Sequence, residues 1–167
     1  MRPSAVRRAK HKPESIELHT PNIQAAGDAG AMRSHAGLRV LIADDNPVNQ
    51  VVVEAMLAQL GVICVIASNG QEAIERAVHE SFALVLMDMH MPELDGLAAT
   101  QALRRQELDL GRSRVPVVAM TANSESDDGP ACVQAGMDGF LSKPFGLAEL
   151  RRCLARHAPD STTPPDR

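Results

Sequence analysis

Between Leu38 and His157 the chain alternates short apolar runs with longer amphipathic stretches, and it does so five times over. Bounded apolar runs too short for a helix fit strands buried on both faces, as in the middle of a parallel sheet. The five runs are Leu38 to Ala43, Val62 to Ala67, Ala83 to Met87 (ending at Asp88), Val115 to Met120 and Gly139 to Ser142. Strict alternation with short connections predicts a parallel sheet covered by helices on both faces, an α/β doubly wound (βα)5 architecture.

Local chemistry marks the helices. Asn46-Pro47 supplies a cap and a first-turn proline, and Gly61 closes the helix that follows. Ser68 and Gln71 have capping-box spacing ahead of a second helix, whose buried stripe is Ala73, Ile74, Ala77 and Val78. Pro92 and Asp95-Gly96 turn the chain after Asp88, with Asp95 placed to cap a helix reaching Gln106. A polar loop is expected over Glu107 to Arg114, a weak fourth helix ends near Gly136, and a last helix runs from Leu147 to His157. In the first helix Val52, Val53, Met56, Leu57 and Leu60 form a bulky face assigned to the core. Val48, Val51 and Ala55 make a second row, either the margin of a wide buried face or an exposed docking patch.

The flanks read differently. Residues 1–36 are rich in Ala, Gly, Pro, Ser and charge without a sustained period, as in a disordered arm or interdomain linker. Residues 37–157 form the folded domain, and 158–167 read as an unstructured tail. The first 36 residues carry six Lys/Arg against three acids, a net +3; the remaining 11 against 18 leave −7 on the rest. An acidic globular part without Trp or Tyr argues against nucleic-acid partners. No apolar run exceeds six residues, so no membrane span or contact is expected, and the basic N-terminus lacks the apolar region of a secretory signal. Three widely spaced cysteines, Cys64, Cys132 and Cys153, suggest neither a disulfide framework nor a zinc site, so the cytoplasm is the expected location.

Parallel connections bring four strand ends to one edge of the sheet, the edge where ligands bind in open α/β folds. Asp44-Asp45 end the first strand, Asp88 the third, Thr121 the fourth and Lys143-Pro144 the fifth. Separately these are helix-capping acids, a capping threonine and a surface lysine. Together, three crowded carboxylates repel one another unless a hard cation is present, and oxygen ligands beside room for phosphate point to Mg2+. Thr121 and Lys143 offer a hydroxyl and an ammonium to phosphoryl oxygens. Lys143 is also the only lysine after Lys12, in a chain that elsewhere uses Arg.

The segments Ala-Asp-Asp-Asn-Pro-Val-Asn-Gln (43–50), Met-Asp-Met-His-Met-Pro-Glu-Leu-Asp-Gly (87–96), Met-Thr-Ala-Asn (120–123) and Phe-Leu-Ser-Lys-Pro-Phe (140–145) resemble a response-regulator, CheY-like receiver domain. In pattern they are most similar to the receivers of hybrid sensor histidine kinases. The resemblance implies a flavodoxin-like strand order 2-1-3-4-5 and Asp88 as the phosphoacceptor. It implies Mg2+ held by Asp44, Asp45, Asp88 and the backbone carbonyl of His90. Thr121 and Phe140 would be the switch pair, and Lys143 the phosphate-sensing lysine, followed by a cis bond to Pro144. Partners would be a histidine kinase or histidine phosphotransfer domain, with Val48, Val51 and Ala55 as docking residues. Such a domain has no separate substrate: it catalyses its own phosphorylation and slow dephosphorylation. Within a longer chain that chain would be a hybrid histidine kinase, tethered where the sensor is a membrane protein. With no effector domain after the last helix, output is expected through a partner or by passing phosphate onward.

Three positions depart from the family pattern. His90 stands two residues after the phosphoacceptor where Gln or a similar residue is usual, and Phe140 replaces the commoner Tyr. Gly129-Pro130 falls where the fourth helix would make its first turn, so that helix is expected to start late or be loose. A haloacid-dehalogenase-like phosphatase would need Asp-x-Asp at the first strand end, and a flavodoxin-like carrier a phosphate loop and flavin-stacking aromatics. Neither pattern is present. A degenerate receiver serving as a constitutive interaction module is the remaining alternative, and intact Asp45, Asp88, Thr121 and Lys143 weigh against it.

Overall fold

The computed structural model describes residues 35–122 and 125–158. The arm expected over residues 1–36 lies outside the described residues except for His35 and Ala36, as does the tail beyond Ala158. Five strands, β1 (Arg39–Ala43), β2 (Ile63–Ala67), β3 (Leu84–Asp88), β4 (Val117–Thr121) and β5 (Gly139–Ser142), alternate with five helices. These are α1 (Pro47–Gln59), α2 (Gly70–His79), α3 (Gly96–Asp109), α4 (Glu125–Ala135) and α5 (Leu147–His157). All pairings are parallel and the strand order is β2-β1-β3-β4-β5, the expected flavodoxin-like arrangement.

Alternation along each strand divides the core into two layers. Val40, Ile42, Leu84, Leu86, Val118 and Met120 face Val53 and Leu57 of α1 and Leu150, Cys153 and Leu154 of α5. Leu41, Ala43, Val85, Met87, Val117 and Ala119 face Ile74 and Val78 of α2, Leu103 of α3 and Cys132 of α4. The three central strands are buried along nearly their whole length. Continuous apolar composition, with no polar side to turn to water, dictates this placement.

Caps follow the local chemistry. Asn46 accepts the Val48 N–H at 2.9 Å and Asp95 the Ala98 N–H at 2.8 Å. The α2 cap lies one residue later than the Ser68/Gln71 expectation. Asn69 accepts the Glu72 N–H at 2.8 Å, and Glu72 reaches back to the Ser68 N–H at 2.8 Å. Asn competes with Ser at this position, and the acidic third residue satisfies the N–H of the residue before the cap instead of the cap's own.

Three further expectations are corrected. Glu107, assigned to a loop, lies in α3 and is only 6% exposed. Its carboxylate accepts from Arg104 at 2.8 Å and from the Val115 N–H at 2.8 Å, so ionic pairing extends the helix. The fourth helix does not start late: it begins at Glu125, with Pro130 inside it. Pro130 forgoes one helical hydrogen bond, but Cys132 and Ala135 beyond it are buried in the core, and that burial favours continuing the helix. Finally, Val52 is 46% exposed and not a core residue. The stripe of α1 that reaches the sheet centres on Val53 and Leu57, with Met56 and Leu60 at its margin.

Candidate functional site

The alternation that divides the core also aims the polar residues at the strand ends. Asp44 continues the series Val40, Ile42, and Asp88 the series Leu84, Leu86, on the α1–α5 side; Thr121 continues Val117, Ala119 on the α4 side. Carboxylate oxygens of Asp44, Asp45 and Asp88 lie within 4.8 Å of one another. Asp44 is fully buried, Asp88 is nearly so, and Asp45 is exposed.

Asp44 is richly bonded. Its Oδ1 accepts the Asn46 N–H at 2.9 Å, its Oδ2 accepts from Lys143 Nζ at 3.0 Å, and Asn49 Nδ2 lies 3.2 Å from both oxygens. Lys143 Nζ also stands 3.3 Å from Asp88 Oδ2, bridging the two carboxylates. Asp88 has fewer donors: the His90 N–H reaches its Oδ1 at 3.3 Å. Burial pushes the Asp88 carboxyl above the usual aspartate range, with the Asp44 charge adding to it; Lys143 and the His90 N–H oppose the shift. An all-oxygen donor set of this kind, one member exposed and one short of donors, fits a hard divalent cation such as Mg2+.

The loop after Asp88 is tightly built. The Gly96 N–H returns to the Met89 carbonyl at 3.2 Å, and a Cβ on Gly96 would stand 2.3 Å from the Asp88 carbonyl oxygen, so no side chain fits. His90 is exposed on this loop. On the other face the buried Thr121 hydroxyl donates to the Asp128 carboxylate of α4. Phe140 is half-buried against the core layer on that same face and pairs with Ala119, two residues before Thr121. The Lys143-Pro144 bond is cis.

Sequence reasoning gathered Asp44, Asp45, Asp88, Thr121 and Lys143, and the structure brings all five to one edge. It missed Asn49, Gln50 and Asp128. The available signal for the first two was a pair of amides in the first turn of a largely apolar helix. The α1 row is not the margin of a buried face: Val48 and Val51 are 70% and 64% exposed, and Ala55 is exposed. Beside them a cavity of about 390 Å³ lies between α1 and the β5–α5 connection, lined in part by Asn49, Val52, Lys143 and Phe145. No helix among the described residues is long and apolar enough to cross a membrane.

Comparison with known proteins agrees with this geometry. The family model of the response regulator receiver domain matches residues 40–155. The sensor protein GacS of Pseudomonas syringae pv. syringae is 36% identical over 140 residues, covering 84% of this chain and 15% of that protein. Histidine kinase 5 of Arabidopsis thaliana is 38% identical over 142 residues, covering 71% and 15%. The chain thus spans about 15% of the length of these curated relatives. Among solved structures, the receiver domain of sensor histidine kinase PA1611 from Pseudomonas aeruginosa, with magnesium coordinated in its active-site cleft, is 44% identical with a TM-score of 0.66. That match covers 73% of this chain and 98% of the other. The Ssk1 receiver of Saccharomyces cerevisiae, crystallised with the histidine phosphotransfer protein Ypd1, is 28% identical with a TM-score of 0.70, covering 74% and 90%. With an acidic cluster, a lysine and a threonine at the carboxyl edge of a 2-1-3-4-5 sheet, the chain belongs to the response regulator receiver domain family and is a receiver of two-component phosphorelay signalling.

Proposed function

We propose that Asp88 accepts a phosphoryl group from a phosphohistidine. The observation that carries this reading is the setting of Asp88: a nearly buried carboxylate at the end of β3, short of donors, with Lys143 Nζ at 3.3 Å. An Oδ oxygen of Asp88 attacks phosphorus as the bond between phosphorus and the imidazole nitrogen breaks. The bonding pair returns to the ring, and the product is an aspartyl phosphate. Lys143 meets charge on the phosphoryl oxygens, so the catalytic contribution is positioning plus electrostatics. Asp44, Asp45, Asp88 and the His90 carbonyl would hold Mg2+, which when bound supplies positive charge to the same oxygens. Water later attacks phosphorus, releasing inorganic phosphate and restoring the carboxylate.

The switch follows from the shared face of Thr121 and Phe140. A phosphoryl group on Asp88 offers the Thr121 hydroxyl an acceptor in place of Asp128. Thr121 then moves toward the site, and Phe140 turns into the space it leaves. Phosphorylation biases an existing two-state equilibrium. The donor is a histidine kinase or histidine phosphotransfer domain, docked on Val48, Val51 and Ala55. The Ssk1 receiver bound to Ypd1 supports that class of partner. By likeness to its relatives the chain is a receiver module of a hybrid histidine kinase, working in the cytoplasm. A degenerate binding module has no observation in its favour: Asp45, Asp88, Thr121 and Lys143 all stand at one edge.

Acetyl phosphate with Mg2+ tests the reading. The parent chain should be phosphorylated and Asp88→Asn should not. Label found on Asp44 or Asp45 would move the protein to the phosphatase class.

A further inference from the structure

Two consecutive side chains of α1 grip the end of β1. Asn49 Nδ2 lies 3.2 Å from each carboxylate oxygen of Asp44, while Gln50 Nε2 donates to the Asp44 backbone carbonyl at 2.6 Å. Their neighbours Val48 and Val51 are 70% and 64% exposed, so the first turn of α1 turns amides inward and valines outward. Asp44 is a fully buried carboxylate, and each lone pair left without a donor there is costly.

The chain of contacts then runs onward. Lys143 Nζ divides itself between Asp44 Oδ2 at 3.0 Å and Asp88 Oδ2 at 3.3 Å. The more of Asp44's demand that neutral donors meet, the less strongly Asp44 competes for this one ammonium. A neutral amide suits that task. A second cation at position 49 would oppose a metal ion, and an acid would add to the repulsion.

We infer that Asn49 is a positioning residue of the phosphoryl-transfer site: by holding the Asp44 carboxylate from α1 it keeps Lys143 available to Asp88 and orients Asp44 toward the cation. This rests on the phosphoacceptor reading above and deepens it. Outer partners of metal-binding carboxylates act in this way, and their loss typically costs about 10- to 100-fold in metal affinity or activity. The role also ties the site to the helix whose outer row is the proposed docking surface.

The test compares the full chain with Asn49→Ala and Asn49→Gln. The cavity beside Asn49, about 390 Å³, gives the extra methylene of Gln room while the amide is retained. Mg2+ is titrated calorimetrically into each protein, and phosphorylation by acetyl phosphate is followed at saturating Mg2+. Asn49→Ala should raise the Mg2+ dissociation constant about 10-fold and slow phosphorylation by a similar factor. Asn49→Gln should stay within about threefold of the parent in both, a rescue that loss of helix packing would not produce. The inference is overturned if Asn49→Ala matches the parent in both measurements, or if Gln is no better than Ala. Should Asn49→Ala fail to fold, Asn49→Leu, which keeps the bulk without the donor, takes its place under the same criteria. If the parent itself takes no phosphate, the phosphoacceptor reading fails, and the Mg2+ titration alone decides the role of Asn49.

Discussion

Lys143 and Asp44, 99 residues apart in the chain, meet at 3.0 Å with the carboxylate fully buried. The three acids of the site therefore do not share their repulsion equally. Asp44 is matched by a cation, an amide and a backbone N–H, whereas Asp88 retains a raised pKa because burial outweighs its share of Lys143.

Neutralising Asp88 should accordingly stabilise the metal-free fold, against the usual direction of mutation. In EDTA, Asp88→Asn should melt above the parent, while Asp44→Asn, which removes the charge facing Lys143 and turns one acceptor oxygen into a donor among donors, should lose about 2 kcal/mol. Mg2+ should raise the parent's melting temperature, with about 2.7 kcal/mol gained at a hundred times the dissociation constant, and Asp88→Asn should blunt that gain. Thermal unfolding in EDTA and in excess Mg2+ reads all of this. An Asp88→Asn protein that melts below the parent in EDTA would sink the argument.

The same shift fixes the sign of a pH dependence. Asp88 binds its proton more tightly when folded than when unfolded, so between the unfolded value, about 3.9, and the raised folded value the native state holds more protons. Stability from this group therefore falls as pH rises through that window, and the cost is fully present above it. Other acids, Glu72 among them with its carboxyl held low by the Ser68 N–H and Arg76, pull the other way. The observable is the difference in denaturant-unfolding free energy, parent minus Asp88→Asn, without metal. A difference that does not fall with rising pH would contradict the assignment.

Exposure of the α1 row makes the docking proposal separable from folding. Val51→Glu should change stability by no more than about 0.5 kcal/mol, as surface substitutions do. It should sharply slow phosphoryl transfer from a histidine phosphotransfer protein yet leave phosphorylation by acetyl phosphate unchanged. Equal loss with both donors would remove Val51 from the docking surface.

Away from the carboxyl edge, Glu107 pairs with Arg104 within α3 and ties the helix to the segment just before β4 through the Val115 N–H. Arg104 also donates to the Gly136 and Val115 carbonyls and to Asp138. Glu107→Ala should cost about 2 kcal/mol, because the Val115 N–H loses its acceptor and Arg104 keeps only Asp138 as a charged partner. Glu107→Gln, which still accepts from Val115, should cost clearly less. Urea unfolding of both variants measures the gap, and equal losses would show that the bond from the Val115 N–H contributes nothing beyond the charge of Glu107.

The sequence by itself determined the sheet. Buried central strands must be apolar throughout, and Ala83 to Met87 or Val117 to Met120 can be little else. Parallel connection then obliges Asp44, Asp88, Thr121 and Lys143 to share one edge, because every strand runs the same way. Periodicity alone could not say which part of α1 faces the sheet, since Val48, Val51, Val52, Val53 and Met56 are all apolar. Packing against β1 and α5 decided it for Val53 and Leu57, and left Val52 half in water. Nor could local rules place Glu107 or Pro130. An acid in a polar stretch reads as loop until Arg104 meets it, and a proline reads as a helix start until Cys132 and Ala135 find a core to bury in. The division of Lys143 between Asp44 and Asp88, and the amide of Asn49 behind it, belong to tertiary structure alone. They depend on ångström separations between segments up to 99 residues apart, and no local preference encodes those distances.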